Sequence, residues 1–222
     1  AMEAKVISVG NIAMGGTGKT PFTIKLANYF LSQNKKVCIL SRGYKGKIGL
    51  GTNVISDGEN ILLHPPLAAD EPYMIAENCK GAVVITGKER KTSAEYAKKR
   101  FAPDIFILDD GFQHKRMPRD LDILLLDHKR PISTGFPFPF GYLREFPCGI
   151  KRAGIVVFTR ADNETIPQEA VKYVQDKPVF FSNIKLKEVK THAAALTPSQ
   201  LKQMRTLAFA GIAGGERFFK FL

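Results

Sequence analysis

Apolar positions along the chain fall in short continuous runs. Val6 to Val9, Val37 to Leu40, Ala82 to Thr86, Ile105 to Leu108, Leu121 to Leu126, Ile155 to Thr159 and Thr206 to Ala210 are β-branched or aliphatic with little polar interruption. Strands without strict alternation are covered on both faces, as in a parallel sheet between helices. Between them the pattern changes to a helical period. From Lys19 to about Ser32, Phe22, Leu26, Tyr29 and Phe30 share one face; from Lys88 to Arg100, Ala94 and Ala97 share another with Phe101. A further helix begins near Asp70. Strands alternating with helices predict an α/β three-layer sandwich with a mostly parallel sheet.

Composition adds limits. At 222 residues with an ordinary charged fraction, the chain reads as one globular domain spanning 1–222. Its net charge of +12 favours phosphates, an anionic membrane surface or nucleic acid. No nucleic-acid recognition motif accompanies the charge, so nucleic acid is set aside. Cys38, Cys79 and Cys148 are too scattered for a disulfide framework or a zinc site, and read as buried thiols in a reducing compartment. No apolar run is long enough to span a bilayer, and no signal peptide precedes the first strand, so the chain reads as soluble or peripheral.

The strand Val6 to Val9 runs into Gly10-Asn11-Ile12-Ala13-Met14-Gly15-Gly16-Thr17-Gly18-Lys19-Thr20, and a helix follows. Strand, glycine loop and helix are the context of a phosphate-binding Walker A loop, although Ala13 stands where that pattern has its first glycine. Gly15, Gly16, Thr17 and Gly18 let backbone N–H groups face phosphate oxygens. Lys19 can reach the β and γ phosphates, and Thr20 can ligate Mg²⁺. Asp104 to Leu108 leads into Asp109-Asp110, an apolar strand ending in paired carboxylates that can hold a metal directly or through water.

Other candidates stay open on local grounds. Asp70, ahead of Glu71 and Pro72, reads as a helix N-cap or as the base that deprotonates an acceptor hydroxyl. His114 follows the paired acids within reach of the same site, and a lone histidine is usually structural. Arg42 at the end of the second strand, and Arg144 with Glu145, offer phosphate contacts and a metal-shell carboxylate, or surface salt bridges. The Phe136 to Leu143 stretch is a loop folded over the core or a contact for acyl chains or a membrane interface. The basic helix with Lys88, Arg90, Lys91, Lys98, Lys99 and Arg100 is a solvated face or an anionic-lipid contact.

Taken in order, Val9-Gly10-Asn11, Gly15 to Pro21, Leu40-Ser41-Arg42-Gly43-Tyr44, Asp70-Glu71-Pro72, Asp109 to His114, Leu143-Arg144-Glu145 and Phe209-Ala210-Gly211-Ile212 resemble the motif set of the tetraacyldisaccharide 4'-kinase family. The resemblance implies a P-loop kinase that uses ATP and Mg²⁺ to phosphorylate the 4' hydroxyl of a tetraacylated disaccharide 1-phosphate. The setting it implies is the cytoplasmic face of a Gram-negative inner membrane, in lipid A biosynthesis. It makes Asp70 the catalytic base. It places Lys19 and Thr20 on phosphates and Mg²⁺, Asp109, Asp110 and Glu145 around the metal, and Gln113, His114 and Arg144 near the transferring group. Arg42 and Arg90 become phosphate contacts. Family members usually carry an N-terminal hydrophobic helix and continue past the Phe-Ala-Gly-Ile segment. The chain is therefore expected to hold the nucleotide-binding core without both ends, and to catalyse poorly alone.

Two rival readings remain at this level. A regulatory or metallochaperone GTPase draws on Thr159-Arg160-Ala161-Asp162, which loosely matches a guanine-reading motif but has Thr where that motif has Asn. The other rival is a nucleotide-gated binding module without catalysis.

Overall fold

Alternate residues of the central strands go to opposite sides of one sheet, and both sides are buried. In the computed structural model, which describes residues 4–43, 51–185, 188–190, 195–209 and 219, Ile7, Val9, Ile39 and Ile107 pack on one side with Ala27, Ile75 and Ala76. Val6, Cys38, Leu40, Phe106 and Leu108 pack on the other with Ala94 and Ala97. Two apolar faces explain why these strands are continuous apolar runs rather than alternating ones.

The strands are β1 (Lys5–Gly10), β2 (Val37–Ser41), β3 (Asn53–Asp57), β4 (Val83–Thr86), β5 (Ile105–Asp109), β6 (Leu121–Asp127), β7 (Ile155–Thr159) and β8 (Val179–Ser182). Among the described residues they form an eight-stranded sheet in the order β3-β4-β2-β5-β1-β6-β7-β8. The pairings β1 with β5 and β6, β2 with β4 and β5, and β6 with β7 are parallel; β3 runs antiparallel to β4 at the edge. Helices α1 (Lys19–Ser32) and α2 (Asp70–Asn78) cover one face, and α3 (Arg90–Phe101) covers the other. A second part of the core gathers Ile12, Phe112, Leu124, Leu126, Val156 and Phe158 under α4 (Gln168–Val174) and the 3₁₀ turn Pro147–Arg152.

The chain divides into two compact units, Ala1–Phe181 and Ser182–Leu222. In the second, the two-residue strands β9 (Val189–Lys190) and β10 (Ala195–Leu196) pair antiparallel. They are followed by α5 (Pro198–Leu201), whose Thr197 and Gln200 make a reciprocal capping box.

Several expectations are corrected. Thr206 to Phe209 forms no strand, and Leu207 and Phe209 are exposed; Ala210, like Tyr44, Gly211 and Ile212, lies outside the described residues. Tyr29 leaves the buried face of α1, where Thr23 and Ala27 are the buried positions and Phe22, Leu26 and Phe30 are partly covered. Cys38 and Cys79 are buried but Cys148 is exposed. Edge strands β3 and β8 carry no long apolar run and were not anticipated.

Candidate active site

The register Val9↔Asp109 sets the carboxyl ends of β1 and β5 side by side, so the glycine loop and the paired acids meet at one point. In open α/β sheets, ligands bind at this edge, where strand order reverses. Here β1 has β5 on one side and β6 on the other.

Gly15 and Gly18 have φ of +97° and +82°, and nothing lies within 4 Å of where a Cβ would stand on either. A side chain would fill that space, and its absence leaves a cradle lined by main chain. Gly18 is the N-cap of α1, which has no side-chain cap and no acidic residue in its first turn. Its leading amides and helix dipole are thus available to an anion. Pro21 sits in the first turn, where no intrahelical donor is lost. The Thr17 hydroxyl is buried without a partner, as a ligand-facing group would be.

Asp110 is the electrostatic hub. It adopts a left-handed conformation, φ 53°, which Asp tolerates better than most residues. Arg144 Nη1 donates to both its oxygens at 2.7 and 2.8 Å, and Lys19 Nζ stands 3.7 Å from Oδ1. Burial lowers the Lys19 pKa, partly opposed by Asp110. Asp109 is 2% exposed and accepts hydrogen bonds from Thr23 Oγ1 at 3.1 Å and Ser41 Oγ at 3.3 Å. Burial pushes its carboxyl up to about 6, against the Thr23 hydrogen bond.

Glu145 is held away from solvent by Arg152, at 2.8 Å to each oxygen through Nη1 and Nη2, and by Gln113 Nε2 at 2.8 Å. Burial alone raises its pKa, but the bonds from Arg152 and Gln113 outweigh it and leave the carboxyl below its ordinary value. Gln113 also donates to the Asn11 carbonyl at 2.8 Å, tying this carboxylate to the entry of the glycine loop. Arg90 is buried, and its Nη2 donates to the Asp109 carbonyl at 3.0 Å. This bond braces the end of β5, while Arg90 Nε is buried without a partner. Arg42 is exposed, near enough to Arg90 to lower that group's pKa after desolvation has done so first. His114 has its pKa lowered by burial and then by Arg90, which favours the neutral ring.

Asp70 is the first residue of α2, and Ala69 is the N-cap without a side-chain cap bond. Asp70 is therefore no N-cap, which corrects the local reading. Its neighbour Glu71 is the α2 carboxylate that exerts a charge effect on both Lys19 and Asp109. No described group of three or more His, Cys, Asp or Glu side chains can enclose a metal. One or two carboxylates beside a hydroxyl and a phosphate cradle nonetheless suit Mg²⁺, which keeps its waters and shares substrate phosphates.

Arg160, which entered the sequence reading only within the loose guanine-reader match, has a contact with the glycine loop that was not anticipated. It stands left-handed at the end of β7, where Nη2 donates to the Gly16 carbonyl of the glycine loop and Nη1 to Asp127 Oδ2 at 2.6 Å. Its position at the carboxyl end of a parallel strand was the available signal. Asp162, the acid of the loosely matched guanine reader, pairs instead with Lys129 at 2.9 Å. The roles of Thr23 and Ser41 were missed because their partner Asp109 lies far along the chain; Arg152 was missed although Glu145 is only seven residues before it.

The sequence pattern of the Tetraacyldisaccharide-1-P 4'-kinase family, LpxK, matches residues 1–222. The chain belongs to this family. It is 38% identical over 97% of its length to the tetraacyldisaccharide 4'-kinase of Pelobacter propionicus, and 39% identical over 98% to that of Geobacter sulfurreducens. It spans 59% and 61% of those relatives, about three fifths of their length. A solved structure of LpxK from Aquifex aeolicus in complex with ATP superposes with a TM-score of 0.81 at 35% identity, covering 99% of this chain and 67% of that one. The P-loop α/β architecture is thus shared with an LpxK family member.

Proposed function

We propose that this chain is the nucleotide-binding part of an ATP-dependent kinase that phosphorylates the 4' hydroxyl of a tetraacyldisaccharide 1-phosphate. The observation that carries the reading is the open phosphate cradle at Gly15 to Lys19 facing Asp109 and the Arg144–Asp110 pair, in a member of a 4'-kinase family. ATP is the nucleotide, on the precedent of the Aquifex aeolicus structure.

In this reading the loop amides and Lys19 hold the β and γ phosphates in line with the acceptor. Thr20 and Asp110, with Asp109 behind them, would hold Mg²⁺, whose chemistry when bound is to neutralise phosphate charge. Arg144 already lies on Asp110 and is placed to exchange that carboxylate for a transferring phosphoryl oxygen. Glu145, fixed by Arg152 and Gln113, would add a further carboxylate to the surroundings of that metal. Asp70, uncapped at the start of α2, takes the acceptor proton. Neutral His114 and exposed Arg42 contact the substrate's polar groups. The acceptor is a membrane lipid, so the site works at the cytoplasmic face of an inner membrane. No helix among the described residues is long and apolar enough to cross one.

The test is transfer of radiolabelled γ-phosphate from ATP to the acylated disaccharide phosphate in detergent micelles, by the whole protein and by this chain. Product from the whole protein is expected. With Asp70→Asn, turnover should fall by about 10²–10⁴ while nucleotide binding persists. Retained turnover would remove Asp70 from the base role, and transfer from GTP in preference to ATP would overturn the nucleotide assignment.

A further inference from the structure

The loop between β6 and the 3₁₀ turn carries Phe136, Phe138, Phe140 and Tyr142 at alternate positions, with Pro137, Pro139 and Gly141 between them. All four rings are exposed, Phe138 by 70% and Phe140 by 89%, while Leu143 beside them is fully buried. The rings are held outward by a built turn. Phe138 N donates to Leu143 O at 3.0 Å, Leu143 N to Phe136 O at 3.1 Å, and Gly141 N to Pro137 O at 3.0 Å. Tyr142 N donates to Thr134 Oγ1 at 2.8 Å. A Cβ on Gly141 would stand 2.2 Å from Thr134 Oγ1, so only glycine closes this turn without displacing it.

The inner side of the loop is joined to the phosphate site. Met14 N donates to Tyr142 O at 2.7 Å and Arg144 N to Ile12 O at 2.6 Å, so the aromatic tip and the glycine loop share a hydrogen-bonded frame. No carboxylate occurs between Asp127 and Glu145; of the cations in that stretch, Lys129 pairs with Asp162 and Arg144 with Asp110, while Arg130 is exposed just before the loop. Four exposed rings close in sequence to an exposed cation, in a stretch without carboxylates, match an anionic bilayer, in which rings enter the acyl boundary and a cation meets the headgroups.

We propose that residues 134–143 dock this chain on an anionic bilayer and hold its phosphate loop at a fixed height above the lipid. The proposal rests on the lipid-kinase reading for the reason a bilayer should lie at this edge. The basic helix α3 is a poorer dock. Its Lys91 and Lys98 line a cavity of about 340 Å³ with Lys5, Val6, Met117 and Arg119, at the amino end of β1 and away from the glycine loop. A membrane bound there would face the wrong end of the strands.

The chain contains no tryptophan, so Phe140→Trp creates a single indole reporter in the loop and Tyr96→Trp one on exposed α3. Each full chain is mixed with vesicles of phosphatidylethanolamine and phosphatidylglycerol brominated on the acyl chains. For Phe140→Trp, emission should move to shorter wavelength and be quenched; for Tyr96→Trp it should do neither. Phe138→Ser with Phe140→Ser should lower the vesicle-bound fraction severalfold in sedimentation, with nucleotide binding retained as the check on folding. Quenching on α3 alone, no quenching at either site, or a loop signal that arises only after acylated disaccharide phosphate is added would each overturn bilayer docking. None of these readouts requires phosphotransfer, so failure of the kinase reading would be seen separately.

Discussion

Asp109 shows what the site costs the free protein. Its carboxyl is buried beneath the phosphate cradle, with a pKa of about 6 against an ordinary 3.8. A raised folded-state pKa gives a stability contribution that is full below 3.8 and lost as pH rises through about 6. At neutral pH the ionised group is therefore a burden on the free protein, offset in part by Thr23 and Ser41. Asp109→Asn removes the charge and keeps one acceptor oxygen, the other hydroxyl then accepting from the amide NH2. Urea unfolding at pH 8 should show the variant more stable than the parent by roughly 1–3 kcal/mol, with the gap closing near pH 4, while phosphotransfer is lost. Equal stability at pH 8 would mean that Asp109 is ionised there without penalty. Such a gain in stability with loss of function is the usual sign of a group retained for chemistry.

The central strands and the glycine loop were legible because each is a continuous segment whose residues state their own environment. Two-sided burial writes Val37 to Leu40 and Ile105 to Leu108 as unbroken apolar runs, and a phosphate cradle needs its glycines next to Lys19. Edge strands β3 and β8 were not legible: Asn53–Asp57 is mixed in sequence, and Val179–Ser182 is apolar but only four residues long and incompletely covered. The converse failure is Thr206 to Phe209, where apolar residues form no strand. Contacts that depend on the assembled sheet were equally silent, as with Arg160 reaching Gly16 across 144 residues. The 3₁₀ turn Pro147–Arg152 is a similar case, because it exists to deliver Arg152. That guanidinium pairs with Glu145 and lies 4.6 Å from the centre of the Phe112 ring. Arg152→Ala leaves a half-buried carboxylate with Gln113 as its remaining side-chain donor among the described residues, and should destabilise the protein by about 1–3 kcal/mol at pH 7. Because the Glu145 pKa is depressed, this contribution is present above the ordinary value of 4.5 and lost as pH falls below it. The urea-unfolding gap between variant and parent should shrink as pH falls below 4.5; a constant gap would place the loss in the Phe112 contact instead.

At the scale of the whole molecule, these local burdens converge on one edge of the sheet: partly desolvated Lys19, ionised Asp109, and a buried Thr17 hydroxyl without a partner. A ligand that supplies phosphates and a cation relieves all three at once and binds only the folded state. Its stabilisation follows mass action, about 2.7 kcal/mol at a hundredfold excess over its Kd, which corresponds to a rise in Tm of roughly 5–10 °C for a domain of this size. Thermal unfolding with ATP and Mg²⁺ should show that rise. ATP with a chelator should show much less of it, because phosphate charge would then meet Asp109 and Asp110 without a cation between them. Lys19→Ala should abolish most of the shift while leaving the ligand-free Tm near that of the parent, since a cation whose pKa burial has lowered contributes little to the free fold. A chelator-insensitive shift would assign nucleotide binding to the glycine loop and Lys19 alone, and would take the paired acids out of metal binding. A shift that survives Lys19→Ala with the metal present would instead make the metal, through Asp109 and Asp110, the principal anchor of the nucleotide.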